Sequence, residues 1–342
     1  MEHEHTGPLR MRVETEKWPL VAPFRITGQT LDAAEVLVVV LENDDFDGRG
    51  EAAGVDYRNE TTASMRKQLE AVRAKVERGL TARSLQQLLP LGGARNALDC
   101  ALWDFEASAS GQPAWRLAGL HKPPQPLVTT FTCGADTPEK MAAAARAYRG
   151  ARAIKIKLTG EASDGDRVRA VREAQPSAWL GVDANQGFTP HSLTHLMPIM
   201  VESKVELIEQ PYPVGHEALL DGFDSPIAIA ADESAQSLRD IPDLVGRFGV
   251  VNIKLDKSGG LTESLAMARA ARQYGLEAMI GNMISTSLAM APAFLVGQLC
   301  TVVDLDGPIL LKSDRSIRAQ YEDGYITCPE ALWGYSHKIG RK

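Results

Sequence analysis

The sequence is poor in several features that would assign it quickly. Its four cysteines, Cys100, Cys133, Cys300 and Cys328, lie far apart and form no Cys-x-x-Cys or Cys/His cluster. That spacing argues against a zinc site and leaves buried or free thiols. No apolar run approaches the roughly 20 residues that a membrane-spanning helix needs. The opening Met1-Glu2-His3-Glu4-His5 carries acids and histidines where a secretory signal needs a basic and then an apolar segment. The expectation is a cytoplasmic protein without a membrane anchor. Basic residues are also short: 37 Lys and Arg against 44 Asp and Glu give a formal net charge of −7. Nucleic-acid binding requires a concentrated basic face, so a nucleic-acid partner is not expected.

What is present is an ordinary globular composition, 44% hydrophobic and 24% charged, in a chain of 342 residues. This length suits two domains or one barrel with an addition. Residues 11–57 read as a β-rich start, with 35–42 as an apolar strand and 45–50 as turn chemistry before Glu51. Residues 61–120 turn helical: 66–79 is amphipathic, and 94–111 repeats apolar positions at helical spacing through Ala97, Ala101, Leu102 and Phe105. His121-Lys122-Pro123-Pro124-Gln125-Pro126 cannot continue a helix and marks a domain boundary.

Beyond it, short apolar strands alternate with helices, the rhythm of a parallel sheet flanked or closed by helices. Strands are expected over 128–132, 153–158, 180–183, 205–209, 227–231, 250–254, 278–281 and 301–305. Crossover helices are expected over 138–148, 164–174, 189–201, 215–223, 237–247, 261–274 and 285–298. Eight strands suit a barrel. The tail after Asp306 holds no further strand–helix pair and is expected to return to the first domain. The implied division is an α+β capping domain over 1–122, a (β/α)-barrel over 123–308 and a C-terminal segment over 309–342.

The polar residues fall where a barrel places its chemistry, at the C-terminal ends of strands. The second strand ends Lys155-Ile156-Lys157, the third Val182-Asp183-Ala184-Asn185, the fourth Ile208-Glu209-Gln210-Pro211, the fifth Ala231-Asp232-Glu233-Ser234 and the sixth Ile253-Lys254-Leu255-Asp256. Alternation along a strand puts Lys155 with Lys157, and Asp183 with Asn185, on one face. Asp183, Glu209 and Asp232 on adjacent strands would repel strongly in a low-dielectric cleft unless a cation neutralised them. Oxygen-only ligands favour magnesium, which leaves coordination positions for water and a substrate carboxylate. Lysines beside such a cation are expected to have depressed pKa values, so that a neutral amine can act as base. Any single strand ending in Asp or Lys is ordinary; the ordered set is more specific, although a structural ion-pair cluster would also gather these charges.

This ordered set resembles the enolase superfamily, in its muconate-lactonizing-enzyme-like subgroup, and within that the dipeptide epimerases. The resemblance covers nearly the whole chain. It implies an α/β protein with an enolase-like N-terminal α+β cap, a modified (β/α)-barrel and a tail returning to the cap. It further implies that Lys157 and Lys254 are the acid/base catalysts, that Lys155 supports Lys157 and the developing negative charge, and that Asp183, Glu209 and Asp232 hold Mg2+. Asp304-Leu305-Asp306-Gly307-Pro308 at the eighth strand resembles the Asp-x-Asp that binds a dipeptide's α-ammonium group, although Asp-Gly-Pro after a strand is also plain turn chemistry. Thr132, at the end of the first strand, and Arg25 complete the substrate-binding set. The early loop Pro23-Phe24-Arg25-Ile26-Thr27-Gly28 departs from the pattern, having Gly28 and Gln29 where an arginine is usual in enzymes acting on Ala-Glu. Lys257, in Lys257-Ser258-Gly259-Gly260, reads as a loop residue beyond the strand end.

The expected activity is therefore magnesium-dependent epimerisation of a dipeptide by two-lysine proton transfer. The expected partner is that small-molecule substrate, and a homo-oligomer is compatible with the sequence. A cycloisomerase, dehydratase or succinylbenzoate-synthase-like enzyme would share the same mouth but leave Asp304 and Asp306 without a cation to bind. A Schiff-base lyase using Lys157 or Lys254 as nucleophile and a non-catalytic ligand-binding barrel stand as readings from other classes.

Overall fold

The computed structural model describes residues 9–26 and 29–335; for Arg25, Ile26 and Gln29 it describes the backbone only. The first unit is a three-stranded antiparallel meander of β1 (Arg10–Ile26), β2 (Gln29–Glu42) and β3 (Asp47–Ala52). Against it lie α1 (Thr62–Glu77), α2 (Ala82–Leu88) and α3 (Gly93–Ser110), with the single turn α4 (Ala114–Leu117) after them. Thr61 and Thr81 open α1 and α2 with reciprocal capping boxes. The expected turn over 45–50 is shorter than that range, because β3 begins at Asp47. Its glycines allow α3 to lie directly on the strand: a Cβ on Gly50 would stand 2.1 Å from the Ala97 carbonyl oxygen. Leu37, Val39, Leu41, Leu69, Leu98 and Phe105 fill the core between sheet and helices.

The second unit is an eight-stranded parallel sheet in sequential order. Its strands and helices alternate as β5 (Thr130–Cys133), α5 (Pro138–Ala147), β6 (Ala153–Lys157), α6 (Asp164–Ala174), β7 (Trp179–Asp183), α7 (Pro190–Glu202), β8 (Leu207–Glu209) and β9 (Ala228–Ala231). They continue with α8 (Ile241–Leu244), β10 (Val250–Ile253), α9 (Leu255–Ser258), α10 (Leu261–Gln273), β11 (Glu277–Ile280), α11 (Ser287–Gly297) and β12 (Val302–Val303). Side chains join the last strand region to the first: Thr129 Oγ1 accepts the Leu305 N–H at 2.9 Å, and the Thr132 N–H donates to the Asp306 carboxylate at 2.6 Å. The sheet is thereby a nearly closed barrel.

Three expectations differ in detail. Strand 128–132 is two pieces, because β4 (Leu127–Val128) pairs instead with the C-terminal hairpin of β13 (Gln320–Glu322) and β14 (Tyr325–Thr327). The helix expected over 215–223 is a 3-10 turn, Glu217–Leu220, cut short by Asp221-Gly222 with Gly222 at φ +74°. The helix expected over 237–247 shrinks to a 3-10 turn and the four residues of α8. The tail touches the cap: Trp333 Nε1 donates to the Arg49 carbonyl at 2.8 Å, and Arg315 pairs with Glu16 and Glu51. Among the described residues, no helix is long and apolar enough to cross a membrane.

Alternation along the strands builds the barrel interior in layers. Leu207, Ala230, Val250 and Met279, with Trp179 and Val302, form an apolar plug. Two residues further along the same strands come Gly181, Glu209, Asp232, Asn252, Gly281 and Asp304. The outward residues between them, such as Ile154, Ile156, Val251 and Ile253, pack with the helices. The core is therefore complete beneath the polar mouth and does not depend on it.

Candidate active site

Asp183, Glu209 and Asp232 stand at the ends of three neighbouring strands, each fully buried or nearly so, and carboxylate oxygens of all three lie within 4.8 Å of one another. The register enforces this: Asp183 pairs across with Glu209, and Glu209 with Ala230, so Asp232 follows one alternation later. Burial and the neighbouring Asp183 charge push Glu209 up to about 8. Asp232 is driven the other way, because Lys254 and Lys257 outweigh the effect of burial.

Four lysines answer these acids. Lys157 Nζ lies 2.5 Å from Asp183, and Lys254 Nζ lies 2.6 Å from Asp232. β6 and β10 are separated by three strands on one side of the eight-stranded barrel, so Lys157 and Lys254 face each other across the acids. Lys155 donates to Asp304 and, at 3.4 Å, to Glu209. Burial disfavours the Lys155 and Lys254 ammonium groups, but Asp304 and Glu209 for the first and Asp232 and Glu209 for the second raise both. Among protein groups alone, this direction is opposite to the depression expected beside a cation. A Cβ on Gly281 would lie 3.0 Å from Lys254 Cε, so glycine there gives the lysine its room.

Lys257 requires a correction. It is not a loop residue outside the site: it lies on α9 with 1% of its surface exposed, and its Nζ donates to Asp232 Oδ1 at 2.5 Å and to the Asn252 carbonyl at 2.9 Å. The Gly259 and Gly260 turn reads as loop chemistry, but the helical turn before it folds Lys257 back beneath Asp232. Burial, with Lys254 close by, lowers its pKa.

The remaining predicted residues are also drawn in. Asp304 is buried and held by Lys155 and the Thr130 hydroxyl, which pull its pKa down against burial. Asp306 is buried on the Thr132 N–H, and burial with the Asp304 charge raises it to about 6. Thr132 is buried beside it. Arg25 belongs to β1, but its side chain lies outside the described residues, as do Gly28 and the opening Met1–His5 segment.

Asn185, which strand alternation places on the face of Asp183, and neighbours to which the sequence assigns no individual role complete the mouth. Asn252 Nδ2 donates to Glu209 at 2.7 Å, and the Asn185 N–H donates to Asp183 at 2.8 Å from a left-handed backbone, φ +42°. The cap reaches the mouth as well: Arg58 donates to the Lys257 carbonyl at 3.3 Å, and Gln236 donates to the Tyr57 hydroxyl at 2.8 Å. Asn185 Oδ1, Glu233 Oε2 and Asn252 Oδ1 are buried acceptors without a protein donor. An all-oxygen triad bordered by spare acceptors fits a hard divalent cation that retains water, since the acids can ligate and the acceptors can bind its water hydrogens.

Comparison with known proteins agrees with this geometry. Residues 9–119 match the mandelate racemase / muconate lactonizing enzyme N-terminal domain, and residues 139–339 match the enolase C-terminal domain-like family. The L-Ala-D/L-Glu epimerase of Escherichia coli (strain K12) is 39% identical over 318 residues, covering 92% of this chain and 98% of that one. A crystal structure of an enolase family member from Agrobacterium tumefaciens, with bound sodium and L-Ala-L-Glu, superposes with a TM-score of 0.92 at 40% identity, covering 96% of this chain and 100% of that one. The dipeptide epimerase from Methylococcus capsulatus, complexed with Mg and the dipeptide L-Arg-D-Lys, gives 0.87 at 30% identity, covering 95% and 99%.

Proposed function

Because this chain belongs to the mandelate racemase/muconate lactonizing enzyme family of enolase-like proteins, we propose that it is a cytoplasmic, magnesium-dependent isomerase that epimerises a dipeptide. The observation that carries this reading is the acid triad flanked from opposite sides by Lys157 and Lys254. The names of the three relatives given above support the substrate class, since each of those proteins acts on or binds a dipeptide.

In this reading Asp183, Glu209 and Asp232 hold the cation. Bound magnesium would supply stabilisation for the negative charge that builds on the substrate carboxylate as the α-proton leaves. Lys157 and Lys254 each address one face of the α-carbon: the amine of one takes the proton, and the ammonium of the other returns a proton to the opposite face. No proton is consumed over the cycle. Lys155 stands beside Lys157 with its charge directed at Glu209 and Asp304, where it favours the anionic carboxylate of the substrate. Asp304 and Asp306 bind the α-ammonium group, with Thr132 orienting Asp306. The cap (1–122) closes the site, the barrel (123–308) carries the chemistry and the segment 309–342 ties the two.

A dipeptide library incubated in deuterated water tests the assignment by mass gain at the α-carbon. We expect gain and stereochemical inversion for a subset of free dipeptides, with both abolished by a chelator. Turnover of N-acetylated dipeptides at the same rate as free ones would remove the ammonium role from Asp304 and Asp306. Mass gain in no member of the library would sink the proposal.

A further inference from the structure

Among the described residues, six other than glycine have a left-handed backbone, and three of these stand just past the ends of β7 and β8: Asn185 at φ +42°, Gln186 at φ +67° and Gln210 at φ +36°. Residues with side chains keep that conformation only where the surroundings impose it. Here the two bends are tied together, since the Gln186 N–H donates to the Gln210 carbonyl at 2.9 Å. Gln210 directly follows Glu209, is 1% exposed and reaches across to the end of β9. Its Oε1 accepts the N–H groups of Asp232 at 2.9 Å and Ser234 at 3.1 Å. Its Nε2 donates to the Tyr212 carbonyl at 2.9 Å and to the Ser234 hydroxyl at 2.8 Å, and that hydroxyl donates onward to Glu217 at 2.7 Å. Backbone pairing between β8 and β9 ends at Ala230, whose carbonyl takes the Gln210 N–H at 2.9 Å. Beyond that point the Gln210 side chain continues the ladder.

We propose that Gln210 is a positioning residue for the cation: it holds the backbone of Asp232 from the position next to Glu209 and so fixes the separation of two of the three acids. The proposal rests on the reading of Asp183, Glu209 and Asp232 as the magnesium ligands. Carboxylates gathered in a buried mouth repel one another, and a strand end without this anchor would let Asp232 swing away from Glu209. Drawing it back on binding would lower the affinity for the cation. A neutral amide suits the task. Its oxygen takes two N–H groups and its nitrogen is fixed on two acceptors, so the side chain is fully engaged without adding charge beside the acids. All of its hydrogen bonds end on backbone groups and Ser234, so it acts through Asp232 rather than on the substrate.

The test titrates the full-length protein with magnesium in a calorimeter, without substrate, and records the melting temperature of the metal-free protein alongside. Gln210→Leu fills the same space without an acceptor, and Gln210→Gly also relieves the left-handed backbone. Both should weaken magnesium binding by roughly 10- to 100-fold, as losses of ligand-orienting partners do. Gln210→Glu keeps an oxygen for the two N–H groups and should bind magnesium more tightly than Gln210→Leu. Saturating magnesium should restore substrate exchange in all three variants. Wild-type affinity in folded Leu and Gly variants, with only the melting temperature lowered, would reduce Gln210 to a structural role and overturn the proposal; so would a Glu variant no better than Leu, or a loss of exchange that magnesium does not repair. If the Gln210 variants do not fold, Ser234→Ala decides the matter, since it removes the hydroxyl that holds Gln210 Nε2 from a half-buried position. It should weaken magnesium binding by roughly tenfold, at the lower end of the same range, and an unchanged affinity overturns the proposal. A wild-type protein that binds no magnesium would instead remove the ligand reading itself, so the two failures are distinct.

Discussion

At the barrel mouth Asp183, Glu209 and Asp232 face one another and share the charges of Lys155, Lys157, Lys254 and Lys257. At the seam between cap and barrel, Glu51, Asp99, Asp104 and Asp256 are as deeply buried, but each is answered locally. Asp104 accepts the Arg49 and Gly334 N–H groups at 2.8 and 2.6 Å, and Asp256 accepts those of Ala53 and Gly54, both at 2.9 Å. Asp99 takes the Thr262 N–H at 2.9 Å and hydroxyl at 2.7 Å, while Glu51 takes the Thr286 N–H and Arg315. Burial of an acid therefore does not by itself mark a site. The mouth differs because its acids converge, so that one cation can serve all of them, whereas the seam acids point to separate backbone segments and staple them together.

If this division of labour holds, changes at the mouth should remove activity with little loss of stability, and changes at the seam should do the reverse. The largest effect is expected from Lys157→Ala and Lys254→Ala. Each should lower epimerisation by about a thousandfold or more, within the range for losing a positioned acid/base. Each should keep deuterium exchange from the one stereoisomer whose α-proton faces the remaining lysine. Wild-type epimerisation in either variant would rule out a two-lysine mechanism.

At the seam, Glu51→Ala leaves Arg315 and Thr286 without their shared buried partner. We expect a loss of about 3 to 5 kcal/mol in urea unfolding, the usual cost of breaking a buried pair. A shift below about 1 kcal/mol would show that the seam contacts do not staple the domains.

A smaller seam effect concerns pH. Burial raises Asp104 to about 7, against which its two backbone donors act only in part. The native state then holds a proton that the unfolded state has already lost, so this group's contribution falls as pH rises through 7. Asp104→Asn removes the titration. Its stability relative to wild type should improve by on the order of 2 to 3 kcal/mol between pH 5 and 8. A difference independent of pH would mean that Asp104 is ionised throughout.

Much of this comparison was legible in the sequence, and the reason is periodicity. Along β6, and along β10 and the residue after it, the apolar Ile154, Ile156, Val251 and Ile253 alternate with Lys155, Lys157, Asn252 and Lys254, so the strand and the face of its charges are legible together. The seam acids gave no such signal. Asp99 and Asp104 sit in an apolar helix where either could be a solvated position, and only the packing of α3 between β3 and the barrel helices α9 and α10 buries them. The elements over 215–223 and 237–247 read as full helices because their apolar residues suit one, while Gly222 and Gly246, both in the left-handed region, end them early. Lys257 was misread for the same reason as the seam acids: its partner, Asp232, is 25 residues away.

Lys257 is the position of the smallest expected effect and gives a direct test of where the mouth ends. Lys257 donates to Asp232 Oδ1 and to the Asn252 carbonyl, while Asn252 in turn donates to Glu209. One buried ammonium thus orients two of the three triad acids without standing on the open side of the site. As a supporting residue it should behave unlike a surface loop lysine and unlike a catalyst. Lys257→Met, which keeps the apolar stem, should weaken magnesium binding or activity by roughly 10- to 100-fold, as losses of ligand-orienting partners do. It should slow exchange from both stereoisomers of the substrate equally, because it favours neither face. A fully active Lys257→Met protein would confine the mouth to Lys155, Lys157 and Lys254. Loss of exchange from one stereoisomer alone would instead make Lys257, rather than Lys254, the base on that side.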